Sequence, residues 1–175
     1  MSNTAFINQL WMRETPMGGL KEPPFEAVYT SLTPFNHCLK PKDAFWTSTA
    51  IEQDASYTSE WVKWVKKEQK DWFSSVGYLF KVNVTDAKIL RVETDADMER
   101  IFANYSKFKL PSDFFDKKYS FFKNFPWENI SKDYDGIHYD PKDHYENELL
   151  FSWEVESTVW FDVNVLKFEK KVVIA

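Results

Sequence analysis

Hydrophobic residues recur along this chain with two different periods, and the order in which those periods follow one another limits the fold more than any other feature. Phe25, Ala27, Tyr29 and Ser31 alternate against Glu26, Val28 and Thr30, the period of two that a strand requires, closed by Pro34 and a loop to Pro41. Ala44 to Ala50, AFWTSTA, is again β-branched and aromatic and predicts a strand. The period then changes. From Ser59 to Phe73, Trp61, Trp64, Val65, Glu68 and Trp72 recur three to four residues apart, which predicts an amphipathic helix capped by Thr58 or Ser59. Lys63, Lys66, Lys67 and Lys70 fall elsewhere on it, and the interleaved acids make them a solvated face.

Beyond Gly77 the period of two returns in YLFKVNV, followed by a turn at Thr85-Asp86-Ala87 and a short strand KILRV. Thr94 or Asp95 caps a helix that runs through Asp97 to Tyr105. Residues 106 to 132 are crowded with Phe and Lys and broken by Pro111 and Pro126; they predict a short helix near Asp113 to Phe122 inside an irregular insertion. Tyr134-Asp135-Gly136-Ile137 is a turn into a strand, and a polar loop from Asp140 to Glu148 leads to a strand-rich end at Leu149 to Ile174. Residues 1–24 form a lead-in with turns at Gly18, Gly19, Pro23 and Pro24 and a short helix around Phe6 to Met12. Strands interleaved with two or three helices and ending in a run of strands predict a single α+β domain rather than a doubly wound parallel one.

Composition narrows the function classes. The 175 residues suffice for one domain with a sizeable core, and a net charge of −5 supplies no global positive field for nucleic acid or anionic membrane. Mean hydropathy of −0.50 and the lack of a long apolar run or a signal-peptide pattern predict a soluble cytoplasmic protein, in the producing cell or in a host. Cys38 stands alone, so neither an intrachain disulfide nor a multi-cysteine metal site is expected. Aromatics make up 18%, with sixteen Phe, eight Tyr and eight Trp; these rings either line a groove where flat ligands stack or fill a core poor in Ala and Leu.

Neither GxGxxG nor GxxxxGK[ST] occurs, so a nucleotide must be held by some other device. In WEVESTVWFD, residues 153–162, a strand would project Glu154 and Glu156 from one face. Such a pair is either solvated or held at a site where one carboxylate shifts the other. In FWTST, residues 45–49, Thr47, Ser48 and Thr49 put hydroxyls on both faces of a strand. His138, Asp140, Asp143 and His144 match no zinc or calcium spacing and read as solvated loop residues, so no metal is expected.

The order of these elements resembles the ADP-ribosyltransferases. In the arginine-toxin branch a first-strand Arg precedes an aromatic-x-Ser-Thr-Ser strand and then a Glu/Gln-x-Glu strand; Phe45-Trp46-Thr47-Ser48-Thr49 and Glu154-Val155-Glu156 are similar to the last two. Glu156-Ser157-Thr158-Val159-Trp160-Phe161-Asp162 also resembles the glutamate-led strand of the poly-ADP-ribose polymerase and diphtheria-toxin branch, and both comparisons select Glu156. The strand Ala27-Val28-Tyr29-Thr30-Ser31 supplies neither the Arg of one branch nor the His-Gly of the other, leaving the first role to Tyr29 and Thr30 or to Arg13.

The resemblance implies two packed, mainly antiparallel sheets flanked by helices, and a mono-ADP-ribosyltransferase of phage, toxin or effector type with NAD as substrate. It implies Glu156 as the catalytic carboxylate, Ser48 as the residue that orients it and Glu154 as the group facing the acceptor. Tyr29, Thr30, Trp46, Thr47, Thr49 and Trp61 would hold NAD, with Tyr29, Trp46 and Trp61 stacking on its rings; Trp61, like Trp64, has the alternative of a place in the core. Tyr145 and Trp153 would form the acceptor surface, and the acceptor would be a protein or a nucleic acid. The rivals are an NAD glycohydrolase of the same fold and a non-enzymatic, aromatic-rich binding module. An RNA phosphotransferase is disfavoured because Arg13, Arg91 and Arg100 do not cluster in sequence.

Overall fold

The computed structural model describes residues 8–12, 39, 41, 44–83, 85–112, 114–141 and 148–175. Seven strands form one hydrogen-bonded sheet: β1 (Asn8–Met12), β2 (Phe45–Thr49), β5 (Val76–Val82), β6 (Ile89–Val92), β7 (Gly136–Tyr139), β8 (Ser157–Trp160) and β9 (Leu166–Val173). Their order is β6-β7-β8-β2-β1-β5-β9, and β3 (Ile51–Gln53) and β4 (Ser56–Thr58) make a separate two-stranded ribbon. The fold is therefore α+β with a mainly antiparallel sheet. Where two packed sheets were expected, the described strands apart from the β3–β4 ribbon form one sheet whose two halves meet at β2. That strand pairs with β8 through Phe45, Trp46 and Thr47 and with β1 through Ser48 and Thr49.

The helices are α1 (Glu60–Glu68), α2 (Asp95–Tyr105), α3 (Phe114–Lys123) and α4 (Trp127–Ile130). Ser59 caps α1 by accepting from the Val62 amide at 3.2 Å, and Thr94 opens α2 with a capping box completed by Asp97. The period in the tryptophan segment is interrupted at Gln69, so α1 ends at Glu68 and Lys70–Trp72 forms a separate 3₁₀ turn. Residues 106–132 are no mere insertion. Because β6 and β7 run parallel, the chain between them must cross over a sheet face, and α2, α3 and α4 make that crossing. Met98, Ile101, Phe102, Phe121, Phe125, Trp127 and Ile130 are buried there with Val92, Ile137, Tyr139 and Val159 of the sheet. Farther along the same face, Val62 and Val65 of α1 pack on Leu10, Leu79, Val172 and Ile174.

Two expectations about local structure are corrected. The helix expected around Phe6 to Met12 is a strand where the chain is described: Gln9 and Leu10 pair with β2 on one side, and β5 takes all of Asn8–Met12 on the other. Two ladders outweigh the local pattern. The strand-rich end is shorter than expected, since Phe151–Trp153 is a 3₁₀ turn and β8 begins only at Ser157. The strand expected at Phe25 to Ser31 lies outside the described residues.

A glycine is required where β7 meets β8. A Cβ at Gly136 would sit 2.6 Å from the Val159 carbonyl oxygen, which is backbone and cannot swing aside. At Gly77 the nearest obstacle, at 2.4 Å, is Cδ1 of Ile174, the far end of a flexible side chain. Gly136→Ala is expected to destabilise the fold by about 1–3 kcal/mol and Gly77→Ala by less, as denaturant titration of both variants will show.

Candidate functional site

Strand register puts a row of polar side chains on the sheet face opposite the helices. Gln9 lies across from Thr49, Thr47 from Thr158, Thr158 from His138 and His138 from Arg91, so neighbouring strands present these residues on one side. Gln9, Thr47, His138 and Thr158 are all buried. Buried polar groups must find partners, and here they find one another. Trp160 Nε1 donates to Thr47 Oγ1 at 2.7 Å, Thr47 Oγ1 donates to Gln9 Oε1 at 2.6 Å, and His138 Nδ1 lies 2.9 Å from Thr158 Oγ1.

The row ends at Glu156. β8 stops pairing with β2 after Thr158 and Thr47, and the Glu156 side chain fills the place of the next ladder partner. The Thr49 amide donates to both carboxylate oxygens, at 3.0 and 3.2 Å. Ser48 Oγ donates to Oε2 at 2.6 Å and Thr49 Oγ1 to Oε1 at 2.9 Å. His138 Nδ1 is 3.5 Å from Oε1. The carboxylate is thus gripped by donors on one strand while its side chain remains 11% exposed.

Two opposed electrostatic effects act on this group. Burial pushes the Glu156 carboxyl above its ordinary value and Asp140 adds to that, while the Ser48 hydroxyl and the Thr49 amide and hydroxyl pull it back without cancelling the rise. Burial, reinforced by Arg91, drives His138 down to about 4, so the imidazole is neutral at pH 7. For His138 the folded value lies below the 6.5 of an unperturbed histidine, so between about pH 6.5 and about pH 4 the unfolded chain binds more protons. Stability from this group is lost as pH falls through that window. Glu156 acts with opposite sign, its contribution being present at low pH and lost as pH rises through its raised value. The histidine slope is therefore sought in a Glu156→Gln background: melting temperature should fall between pH 6.5 and 4 more steeply with His138 than with His138→Gln.

The residues singled out from sequence separate into groups. Ser48, Thr49 and Glu156 meet. Thr47 is 4% exposed and engaged with Gln9 and Trp160, so it supports the sheet and offers no hydroxyl to a ligand. Glu154 does not share a strand face with Glu156, because it follows the 3₁₀ turn with φ 57°. Trp46 is half-buried, edge-on to Trp153 at 4.8 Å. Trp153 is no acceptor surface: it is 1% exposed and its indole donates to the Leu39 carbonyl. Trp61 stacks on Trp64 at 4.9 Å and packs, half-buried, against the cluster that α1 shares with Leu10 and Leu79. Arg13, Tyr29, Thr30, Cys38, Asp143, His144 and Tyr145 lie outside the described residues.

Gln9 and His138 were not foreseen as parts of this site. His138, expected as a solvated loop residue, is a buried residue of β7, and Gln9 lies in a segment expected to be helical, so neither carried a signal of its partners. A cleft of about 250 Å³ lies elsewhere, lined by Asp95, Glu99, Lys117, Lys118, Phe121, Glu148 and Leu149. Among the described residues no group of three His, Cys, Asp or Glu is placed to hold a metal ion, and no helix is long and apolar enough to cross a membrane. No protein-family model, curated protein or solved structure matches the chain.

Proposed function

We propose that the protein is an NAD-dependent mono-ADP-ribosyltransferase with Glu156 as its catalytic carboxylate. The observation that supports this reading is the carboxylate at the break between β2 and β8, held by the Ser48 hydroxyl and the Thr49 amide and hydroxyl while partly open to solvent. Breaking the nicotinamide–ribose bond sends its electron pair to the nicotinamide and builds positive charge on the ribose, as in glycoside cleavage. A preorganised carboxylate stabilises that charge at no cost of reorientation. Glu156 supplies it and accepts a hydrogen bond from a ribose hydroxyl; Ser48 and Thr49 keep it from swinging away. The acceptor's nucleophilic atom then bonds to the ribose carbon and its proton passes to a base, a role that falls to Glu154 on the turn leading into β8.

The test is incubation with labelled NAD, with and without a lysate of proteins and nucleic acids, followed by mass spectrometry and measurement of free nicotinamide. Transfer predicts labelled macromolecules and nicotinamide release that depends on the lysate. Rapid release without an acceptor marks an NAD glycohydrolase instead. No release and no label would overturn both.

A further inference from the structure

The hydrogen bonds that reach Glu156 through Thr49 begin at a group that can only donate. The indole N–H of Trp160 donates to Thr47 Oγ1 at 2.7 Å, and the Thr47 hydroxyl passes its own proton to Gln9 Oε1 at 2.6 Å. This determines which end of the Gln9 amide faces which threonine: the oxygen faces Thr47 and the nitrogen is turned to Thr49 Oγ1, 3.4 Å away. Thr49 Oγ1, accepting from Gln9, directs its proton to Glu156 Oε1 at 2.9 Å. A pure donor stands at one end and a carboxylate at the other, so one direction of donation satisfies every link.

We infer that Gln9 is a positioning residue for Glu156, handing the donor polarity of the Trp160 indole on to the Thr49 hydroxyl so that this hydroxyl is committed to the carboxylate. Only a side chain with an acceptor and a donor on one short fork serves here. Glutamate in that place would accept at both ends and draw the Thr49 proton away from Glu156; methionine would leave the Thr49 hydroxyl free to rotate. Gln9 is fully buried between β2 and β5, so water does not substitute for it. Among the described residues, the charged and titratable groups facing Glu156 are His138 from β7 and Asp140 just beyond it, with Arg91 of β6 beside His138. Of these, His138 Nδ1 comes within 3.5 Å of the oxygen that Thr49 serves, against 2.9 Å for the Thr49 hydroxyl, and it lies 2.9 Å from Thr158 Oγ1.

The test is a carbon-13 NMR titration of the Glu156 carboxyl in full-length protein carrying labelled glutamate, for wild type, Gln9→Met and Gln9→Glu. The Glu156 titration midpoint is expected to move to higher pH in Gln9→Met and further in Gln9→Glu. Thr49→Val, which removes the last hydroxyl of the chain, should reproduce the displacement, and Thr49→Ser should restore the wild-type midpoint. If either Gln9 variant fails to fold, the Thr49 pair decides alone. Midpoints unchanged in the folded variants overturn the inference. The kinetic arm rests on the transferase reading: kcat for nicotinamide release should fall about tenfold in Gln9→Met with KM for NAD nearly constant. A wild type that releases no nicotinamide refutes the transferase reading while leaving the NMR result to judge the role of Gln9.

Discussion

Glu156→Gln is expected to reduce nicotinamide release from NAD by at least about 100-fold while leaving the melting temperature at neutral pH equal to wild type or higher. The rate falls because the amide carries no charge to set against a developing ribosyl cation. Stability does not fall, because burial disfavours the ionised carboxyl in the folded state and the substitution removes that penalty. The amide oxygen still accepts from Ser48 and the Thr49 amide, and its nitrogen can donate to Thr49 Oγ1 if that hydroxyl turns. A group whose loss abolishes turnover while sparing or stabilising the fold has been kept for chemistry. Two measurements on one variant, a thermal melt and a nicotinamide assay, decide the matter: a full-rate enzyme, or one several degrees less stable, would show the carboxylate to be a structural pin.

Trp153→Ala should have the largest effect on stability, a loss of about 3–5 kcal/mol. Its indole is fully buried, meets Trp46 and Tyr139 edge-on at 4.8 and 5.7 Å, and donates to the Leu39 carbonyl. Truncation leaves a cavity and an orphaned carbonyl together. For a domain of this size the melting temperature should drop by roughly 10 °C. Trp72→Ala is the control: that ring is 43% exposed, and its removal should cost well under half as much. Similar melting temperatures for the two variants would mean that the Trp153 pocket is not the packed core described above. Trp153 also stands three residues before Glu156 and anchors the turn that delivers it, so Trp153→Phe, which keeps the ring but loses the N–H, is a milder probe of the same anchor.

What could be read from the chain without coordinates follows from how local the physics is. The FWTST strand, the strand begun in YLFKVNV, the helix start capped by Ser59 and the Thr94 capping box depend on neighbours within a few residues and formed there, though the helix stops at Glu68 rather than Phe73 and β5 runs Val76–Val82. The residues around Pro111 and Pro126 looked irregular because their aromatics answer to a sheet contributed by distant segments. The first strand was missed for the same reason: Asn8–Met12 owes its extension to β2 and β5. At the site, the Ser48 and Glu156 contact was legible because both lie in patterned segments, though 108 residues separate them. Gln9 and His138 were illegible because Gln9 fell in an expected helix and His138 in an expected solvated loop, and only strand register, which the sequence does not carry, brings them beside Thr47, Thr49 and Thr158. The shared strand face expected of Glu154 and Glu156 failed because β8 begins only at Ser157 and a positive φ at Glu154 breaks the extension that alternation assumes.

That long separation between hydroxyl and carboxylate has a consequence for synthesis. Ser48 and Thr49 enter the growing chain 108 and 107 residues before Glu156, and the strand that follows Glu156 and the β9 edge that closes the sheet against β5 come later still. Any product of premature termination short of Glu156 lacks the acidic group altogether. The hydroxyls are thus in place long before the carboxylate they are to hold, and the site can close only after β8 and β9 have followed it into the sheet.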